Sequence, residues 1–361
     1  MKTALLIPIY KPCDKAYPFL KTIDPTSFEK IVVVDDGSGE AFKPIFDQIA
    51  SLENFVVLSY PENHGKGYAL KYGIAHIREN YKEVTGIITA DGDGQHTLPD
   101  IIKLRDAMEE HPNDLLLGVR DFSLPETPAR NKVGNRFSTF YFKMATGKHI
   151  QDTQTGLRGI PQNLFDLALD IEGDRYEYEF NFLHDAARAA GITQIVITTI
   201  YDNNENSHFR PIRDSMRIYK TPLLYILIAV TSFFIDFGLF ALLEFLLNVD
   251  FPLIVLIPYL GARLVSGPYN FIMNNFIVFP NKEKVLNKVL KYIAVFSINV
   301  CIGLGLLFLF DHFLLANVGE NVAAKVGLLA LKVLVEAIIF VINYFISKAF
   351  IFAKKKTKKR Q

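Results

Sequence analysis

The chain has 361 residues, half of them hydrophobic, with 39 Lys and Arg against 38 Asp and Glu and a net charge of +1. This composition excludes a disordered or collagenous chain, and only two cysteines, Cys13 and Cys301, exclude a disulfide framework. The balance hides a split: residues 1–220 carry 25 basic and 31 acidic side chains, residues 221–352 only 8 and 7, and residues 353–361 add 6 basic ones with no acid.

From the N-terminus, Met1–Ile9 lacks a cationic start and a long apolar stretch, so the sequence predicts no secretory signal and a soluble part in the cytosol. Ala4–Pro8, Lys30–Asp35, Phe55–Ser59, Gly86–Ala90 and Leu115–Val119 are short apolar runs that predict buried strands of a mainly parallel sheet. Between them, Phe42–Leu52 and Ile101–Glu109 space apolar residues as a helix does, with Asp100 expected as the capping residue of the second. Such alternation predicts an α/β sheet with helices on both faces, whose ligands bind beyond the carboxyl ends of the strands.

After Tyr219 the character changes. Leu223–Leu247, Leu253–Phe279, Lys291–Phe313 and Ala323–Phe352 are four apolar stretches of membrane-spanning length. Arg213, Arg217 and Lys220 precede the first. Lys282, Lys284, Lys288 and, at the edge of the third, Lys291 lie between the second and third, and Lys354–Arg360 follow the fourth. The loops 248–251 and 314–322 carry no Lys or Arg, so the positive-inside rule predicts a multi-pass membrane protein with both termini and the soluble domain in the cytoplasm. A weak internal repeat, Asn270-Phe271 with Asn274-Asn275 against Asn343-Tyr344 with Ser347-Lys348, suggests a duplicated pair of spans. Asp236 with Arg263, and Lys332 with Glu336, are expected pairs inside the spans, either as packing contacts or as a functional site.

Three segments carry chemistry. Asp35-Asp36-Gly37-Ser38 closes the second strand with a carboxylate pair suited to ribose hydroxyls or a base edge, or with a plain turn. Asn63-His64-Gly65-Lys66-Gly67 lets backbone N–H groups and an ammonium approach phosphate, although the P-loop spacing is absent. Asp91-Gly92-Asp93-Gly94-Gln95-His96 sets two carboxylates around a glycine directly after an apolar strand. That arrangement suits Mg²⁺ or Mn²⁺, whose shell substrate phosphates complete. Glu177 and Glu179 suit either sugar hydroxyls or a salt-bridged scaffold.

The order of these motifs resembles the polyprenyl-phosphate glycosyltransferases of glycosyltransferase family 2, dolichol-phosphate mannose synthase among them. The resemblance runs over about residues 1–215. It rests most specifically on Asp91-x-Asp93-x-Gln95-His96 and on Asp152-x-Gln154-x-Gly156-x-Arg158. The stretches from Leu223 onward resemble a GtrA-like membrane domain. The resemblance implies an α/β GT-A (nucleotide-diphospho-sugar transferase) domain, residues 1–215. It further implies an all-α four-span transmembrane domain, residues 216–353, before a polybasic tail, residues 354–361.

It also implies an inverting, metal-dependent transfer of a sugar from a UDP- or GDP-linked donor to polyprenyl phosphate. Pro8, Tyr10, Asp35, Asp36, Lys66, Asp91, His208 and Arg210 would then bind the donor, and Asp91, Asp93 and Gln95 the metal. Arg120, Arg130 and Arg136 would receive the acceptor phosphate, with Asp91, Asp93, Arg120 and Arg130 as the catalytic set. Where the family often has Ser, this chain has Gly134. The other reading gives the membrane half a translocation or scaffolding role for the lipid-linked sugar. No nucleic-acid partner is expected, and a homo-oligomer is left open.

Overall fold

The computed structural model describes residues 1–125, 127–198, 220–247, 253–278 and 285–318, with Val333 and Ile346 alone beyond them. The chain divides into two compact units, Met1–Ile218 and Tyr219–Gln361.

The first unit is built on a seven-stranded sheet of order β3-β2-β1-β4-β6-β5-β7. The strands are β1 (Thr3–Ile9), β2 (Lys30–Asp35), β3 (Phe55–Ser59), β4 (Gly86–Thr89), β5 (Leu115–Arg120), β6 (Arg158–Pro161) and β7 (Ile192–Ile197). Parallel pairing joins β1 to β2 and β4, β2 to β3, and β5 to β7. β6 runs antiparallel between β4 and β5, with Arg158 opposite Thr89 on one side and Leu117 on the other. The sheet is therefore mixed. β6 and β7 are strands that the apolar-run criterion did not reveal.

Alternation along the strands sorts the core into two layers. Leu6, Val32, Val34 and Leu117 pack on one face with Ile74 and Ile77 of α3 (Lys66–Asn80), Phe142 of α5 (Ala129–Thr146), Ala168 of α6 (Phe165–Asp170) and Phe182 of α7 (Glu177–Ala189). Leu5, Ile7, Val33 and Leu116 pack on the other with Leu20 of α1 (Ala16–Lys21), Ile49 of α2 (Lys43–Ala50) and Leu104 of α4 (Leu98–Glu110). Burial on both faces is why the central strands read as unbroken apolar runs. The cap of α4 differs from the expected one. Pro99 starts the helix early, so Thr97 is the N-cap and its Oγ1 accepts from Asp100 N at 3.3 Å. Asp100 lies in the first turn, where its Oδ2 accepts from the Thr97 hydroxyl at 2.6 Å.

The second unit contributes α8 (Lys220–Leu247), α9 (Leu253–Met273), which continues as a π-helical turn over Asn274–Val278, and α10 (Val285–Val318). Among the described residues, two helices are long and apolar enough to cross a membrane, through Leu223–Leu243 and Leu286–Gly305. The stretch over α9 is helical, but Pro258, Arg263, Ser266, Pro268 and Asn270 interrupt its apolarity. The fourth expected span, the second half of the repeat and the Lys332–Glu336 pair lie outside the described residues. The expected pair on α8 and α9 is present: Arg263 Nε lies 3.6 Å from Asp236 Oδ1, which also accepts from the Ser266 hydroxyl at 2.9 Å. Apolar side chains such as Leu227, Phe234 and Leu286 face outward. Water penalises such a surface and hydrocarbon does not.

Candidate active site

Tyr10, Asp35, Asp36, Asp91 and Arg120 gather chemistry at the carboxyl ends of β1, β2, β4 and β5. Pro8 sits half-buried in β1 opposite Val34, and Tyr10 follows the strand end. The ends of β1 and β2 are tied together, since Asp36 N donates to Ile9 O at 2.8 Å and Lys11 N to Ser38 Oγ at 2.8 Å.

The two carboxylates of the Asp-Asp-Gly-Ser turn have different occupations. Asp35 Oδ1 accepts from Ser38 N at 2.8 Å and shapes the turn. Asp36 is 3% exposed, and both its oxygens serve the 60–65 segment. Oδ1 accepts from the Tyr60 hydroxyl at 2.8 Å and from His64 N and Gly65 N at 3.0 Å, while Oδ2 accepts from Asn63 Nδ2 at 2.8 Å. Gly37 has φ +65°, and a Cβ there would run into the Glu62 backbone, so only glycine lets the two loops touch. Burial and the Asp36 bond push the Tyr60 hydroxyl far above its ordinary pKa.

The Asp91–His96 turn follows β4. His96 is buried, and its Nδ1 accepts from Asp91 N at 3.1 Å, which leaves the ring proton on Nε2; burial lowers its pKa and keeps it neutral. Asp93 Oδ1 accepts from Gln95 N at 3.0 Å. Lys66, the first residue of α3, reaches Asp91 Oδ1 at 2.6 Å and Glu179 Oε1 at 3.0 Å. Burial alone would push the Asp91 carboxyl up; the Lys66 ammonium outweighs it, and the net result is a fall to about 2. Burial also works against the Lys66 charge, but Asp91 and Glu179 together hold the ammonium firmly protonated. Asp93 is pushed the other way, upward, by burial and by the negative charge of Asp91.

The 152–158 segment braces this site from behind. Asp152, fully buried, grips Arg120 with bonds of 2.7 Å to Nε and 3.2 Å to Nη2. The Thr155 hydroxyl donates to Gly118 O at 2.6 Å, and the Thr89 hydroxyl to Gly156 O at 2.9 Å. A Cβ at Gly156 would run into the Asp91 carboxylate, so the glycine is what lets the segment pass behind it. Arg158 spans from Thr155 O, at 3.0 Å, to Glu179 O, at 2.7 Å. Asp152, Gly156 and Arg158 were visible only as motif letters, and Glu179 only as one of two open readings. Glu179 proves to be ion-paired, while Glu177 Oε1 accepts from Asp174 N and Arg175 N at 3.3 Å and fastens the start of α7.

Arg120 thus ends β5 already oriented, with its guanidinium also 5.2 Å from the Phe122 ring. Arg130 lies in the first turn of α5, and Arg136 is exposed six residues further on. Gly134, also exposed, has open space where a side chain would stand. His208 and Arg210 lie outside the described residues. No group of three or more His, Cys, Asp or Glu gathers among the described residues to hold a metal by protein alone. The donors present, two carboxylates and an amide of one turn, are all oxygen. They suit a hard divalent cation that takes one or two carboxylates and draws its other ligands from a bound diphosphate. The ammonium already seated on Asp91 shows that this carboxylate accepts a cation.

Residues 19–167 match the profile of glycosyl transferase family 2, and residues 217–352 that of the GtrA/DPMS transmembrane domain. A protein of Methanocaldococcus jannaschii is 30% identical over 187 residues, covering 50% of this chain and 74% of its own. The chain belongs to glycosyl transferase family 2. The family 2 match falls in its sheet unit, and the membrane-domain match covers its second unit. Two further relatives of this glycosyltransferase have named activities. The UDP-N-acetylglucosamine–dolichyl-phosphate N-acetylglucosaminyltransferase of Methanococcus voltae is 25% identical, covering 55% of this chain and 85% of its own. The dolichyl-phosphate beta-glucosyltransferase of Saccharomyces cerevisiae is 35% identical over 101 residues, covering 26% of this chain and 28% of its own.

Proposed function

We propose that this glycosyltransferase moves a sugar from a nucleotide diphosphate onto a polyprenyl phosphate at the cytoplasmic membrane face, with inversion at the anomeric carbon. Residues 1–215 would form the catalytic domain, 216–353 a four-span anchor and 354–361 a tail drawn to anionic lipid. The observation that carries the reading is the juxtaposition at the strand ends. The Asp91–Asp93 turn stands beside Lys66 on one side, and a guanidinium oriented by Asp152 ends the next parallel strand. Two phosphate groups must meet in such a reaction, and the site offers a cation for each. The two relatives that use dolichyl phosphate support the acceptor class.

Asp91, Asp93 and Gln95 would hold Mg²⁺ or Mn²⁺, which neutralises charge developing on the leaving diphosphate. Asp35 and Tyr10 line the donor's nucleoside end, with Asp36 acting through the 60–65 segment. Arg120, with Arg130 and Arg136 of α5, holds the acceptor phosphate, because guanidinium forks match phosphate oxygens and stay charged. A phosphate monoester with a second pKa near 6 is mostly a dianion at neutral pH. Its unprotonated oxygen attacks without a general base, and one in-line displacement inverts the sugar carbon. Accordingly, Glu179 is needed for its ion pair and not for taking a proton.

The test is direct. Membranes containing the full chain are offered radiolabelled UDP- and GDP-sugars with polyprenyl phosphate, and label is sought in an acid-labile lipid extract. Label that appears only with the lipid phosphate supports the reading. Label in water-soluble glycan and none in lipid overturns it.

A further inference from the structure

Lys66 occupies a position that a metal-dependent reading must explain. Gly65, at φ +110°, leads into α3, and a Cβ at Gly67 would run into Tyr178. Gly65 lets the start of α3 press against Asp174 and Arg175, just ahead of α7, and Gly67 lets it press against α7 itself, which brings Lys66 to Glu179 as well as to Asp91. The ammonium is shared at 2.6 Å by Asp91 Oδ1 and at 3.0 Å by Glu179 Oε1, with its side chain 18% exposed. Gly156 also runs close to the Asp91 carboxylate, so that a Cβ there would run into both its oxygens. A divalent cation arriving at Asp91 therefore meets a positive charge already seated on the same carboxylate. Like charges a few ångströms apart in a poorly solvated site repel strongly. Glu179 provides the way out, because the ammonium keeps a carboxylate partner when it gives up Asp91.

We propose that Lys66 is an exchangeable counter-ion of Asp91: it holds the carboxylate before the metal arrives and yields it, onto Glu179 and the donor's diphosphate, when metal and nucleotide enter. The inference rests on the metal reading of Asp91 and Asp93 given above. It gives Lys66 a positioning role and makes metal binding dependent on the nucleotide. Metal alone must displace the ammonium, whereas metal with a diphosphate brings the ammonium a new anion.

The experiment is a titration of the purified full chain with Mn²⁺ alone, following the free ion by electron paramagnetic resonance. Lys66→Met removes the competitor, and its Mn²⁺ affinity should rise about 5-fold or more, the lower end of ordinary coupling between two ligands. Glu179→Gln keeps the ammonium but takes away its retreat, so Mn²⁺ affinity should fall below that of the unaltered chain. A merely structural role would weaken binding in both variants. Equal or weaker binding by Lys66→Met, with the unaltered chain binding Mn²⁺, overturns the proposal. Should Lys66→Met fail to fold, Lys66→Gln removes the same charge and takes its place, and equal or weaker Mn²⁺ binding there overturns the proposal. Absence of Mn²⁺ binding in every variant overturns the metal reading itself and this proposal with it.

Discussion

Asp36 and Asp93 are both carboxylates in loops at strand ends, yet their surroundings assign them opposite sensitivities. Asp36 accepts from Tyr60, Asn63, His64 and Gly65, so its charge and both oxygens are committed to the fold. In Asp36→Asn one oxygen becomes an NH₂ group facing donors, and a buried donor left unsatisfied costs about 1–3 kcal/mol. The apparent melting temperature of the full chain in detergent should fall by roughly 2–12 °C. Among the described residues, Asp93 has one side-chain hydrogen bond, from Gln95 N to Oδ1, which an asparagine oxygen accepts equally well. Asp93→Asn should melt within a degree or two of the unaltered chain, while transfer to lipid is lost. Retained transfer in this variant, or full transfer in excess EDTA, would remove Asp93 from the metal site.

At the scale of elements, α5 presents the least water-like surface among the described residues of the first unit. Val133 is 70% exposed, Phe140 64% and Met144 44%, and spacings of seven and four residues set them on one face. Arg136 and Lys143 are exposed on the same helix. An apolar face with flanking cations is what a helix lying in a lipid interface offers, and it would bring the arginines of α5 to a phosphate at membrane level. The chain has no tryptophan, so Phe140→Trp introduces a single indole. In vesicles of bromine-labelled lipid its fluorescence should be quenched. A tryptophan at Glu110, on α4 over the opposite face of the sheet, should not be. Equal quenching at the two sites would take α5 off the membrane.

Elements of this kind were legible to different degrees. β2 and β3 could be bounded from the sequence because both lie inside the sheet's apolar runs. β6 could not, since Arg158-Gly-Ile-Pro is no apolar run, and it is buried only because the Arg158 guanidinium finds the carbonyls of Thr155 and Glu179. The Asp91 turn shows in the sequence as two carboxylates around a glycine. Its partners do not, because Lys66 and Glu179 come from the starts of two different helices and only folding brings them together. Asp36, open in the sequence to a ligand or a turn role, accepts hydrogen bonds from Tyr60, Asn63, His64 and Gly65, and only folding brings that segment to it.

The whole molecule joins an anionic unit to an apolar one and a basic tail, and two consequences follow for its behaviour. The first is pH dependence. With a dianionic acceptor as nucleophile, turnover should fall below about pH 6 as the phosphate gains its second proton, since the unprotonated oxygen is then lost. Turnover that stays flat down to pH 5 would exclude the lipid phosphate as the nucleophile.

The second consequence is topology, where the two apolar helices and the charge pattern make different demands. If only α8 and α10 crossed the bilayer, both ends of the chain would still share one side, so a reporter at Gln361 cannot distinguish two spans from four. The segment between α9 and α10 can. It holds Lys282 and Lys284, with Lys288 in the first turn of α10, and two crossings would leave those lysines on the far side of the membrane, against the preference of basic loops for the cytoplasm. Four crossings place them inside, with the Arg- and Lys-free segments near Val249 and Asn317 outside. At 21 residues, α9 is long enough to cross. Arg263 is tolerable in lipid because it pairs with Asp236 of α8, and prolines occur in spanning helices where neighbouring groups satisfy the freed carbonyls, so the interruption of its apolarity does not by itself keep it out of the bilayer. A glycosylation or phosphatase reporter inserted after Lys284 should therefore report the cytoplasm, and one at Val249 the exterior. An external Lys284 would mean that α9 does not cross, and the count of four spans would fall with it.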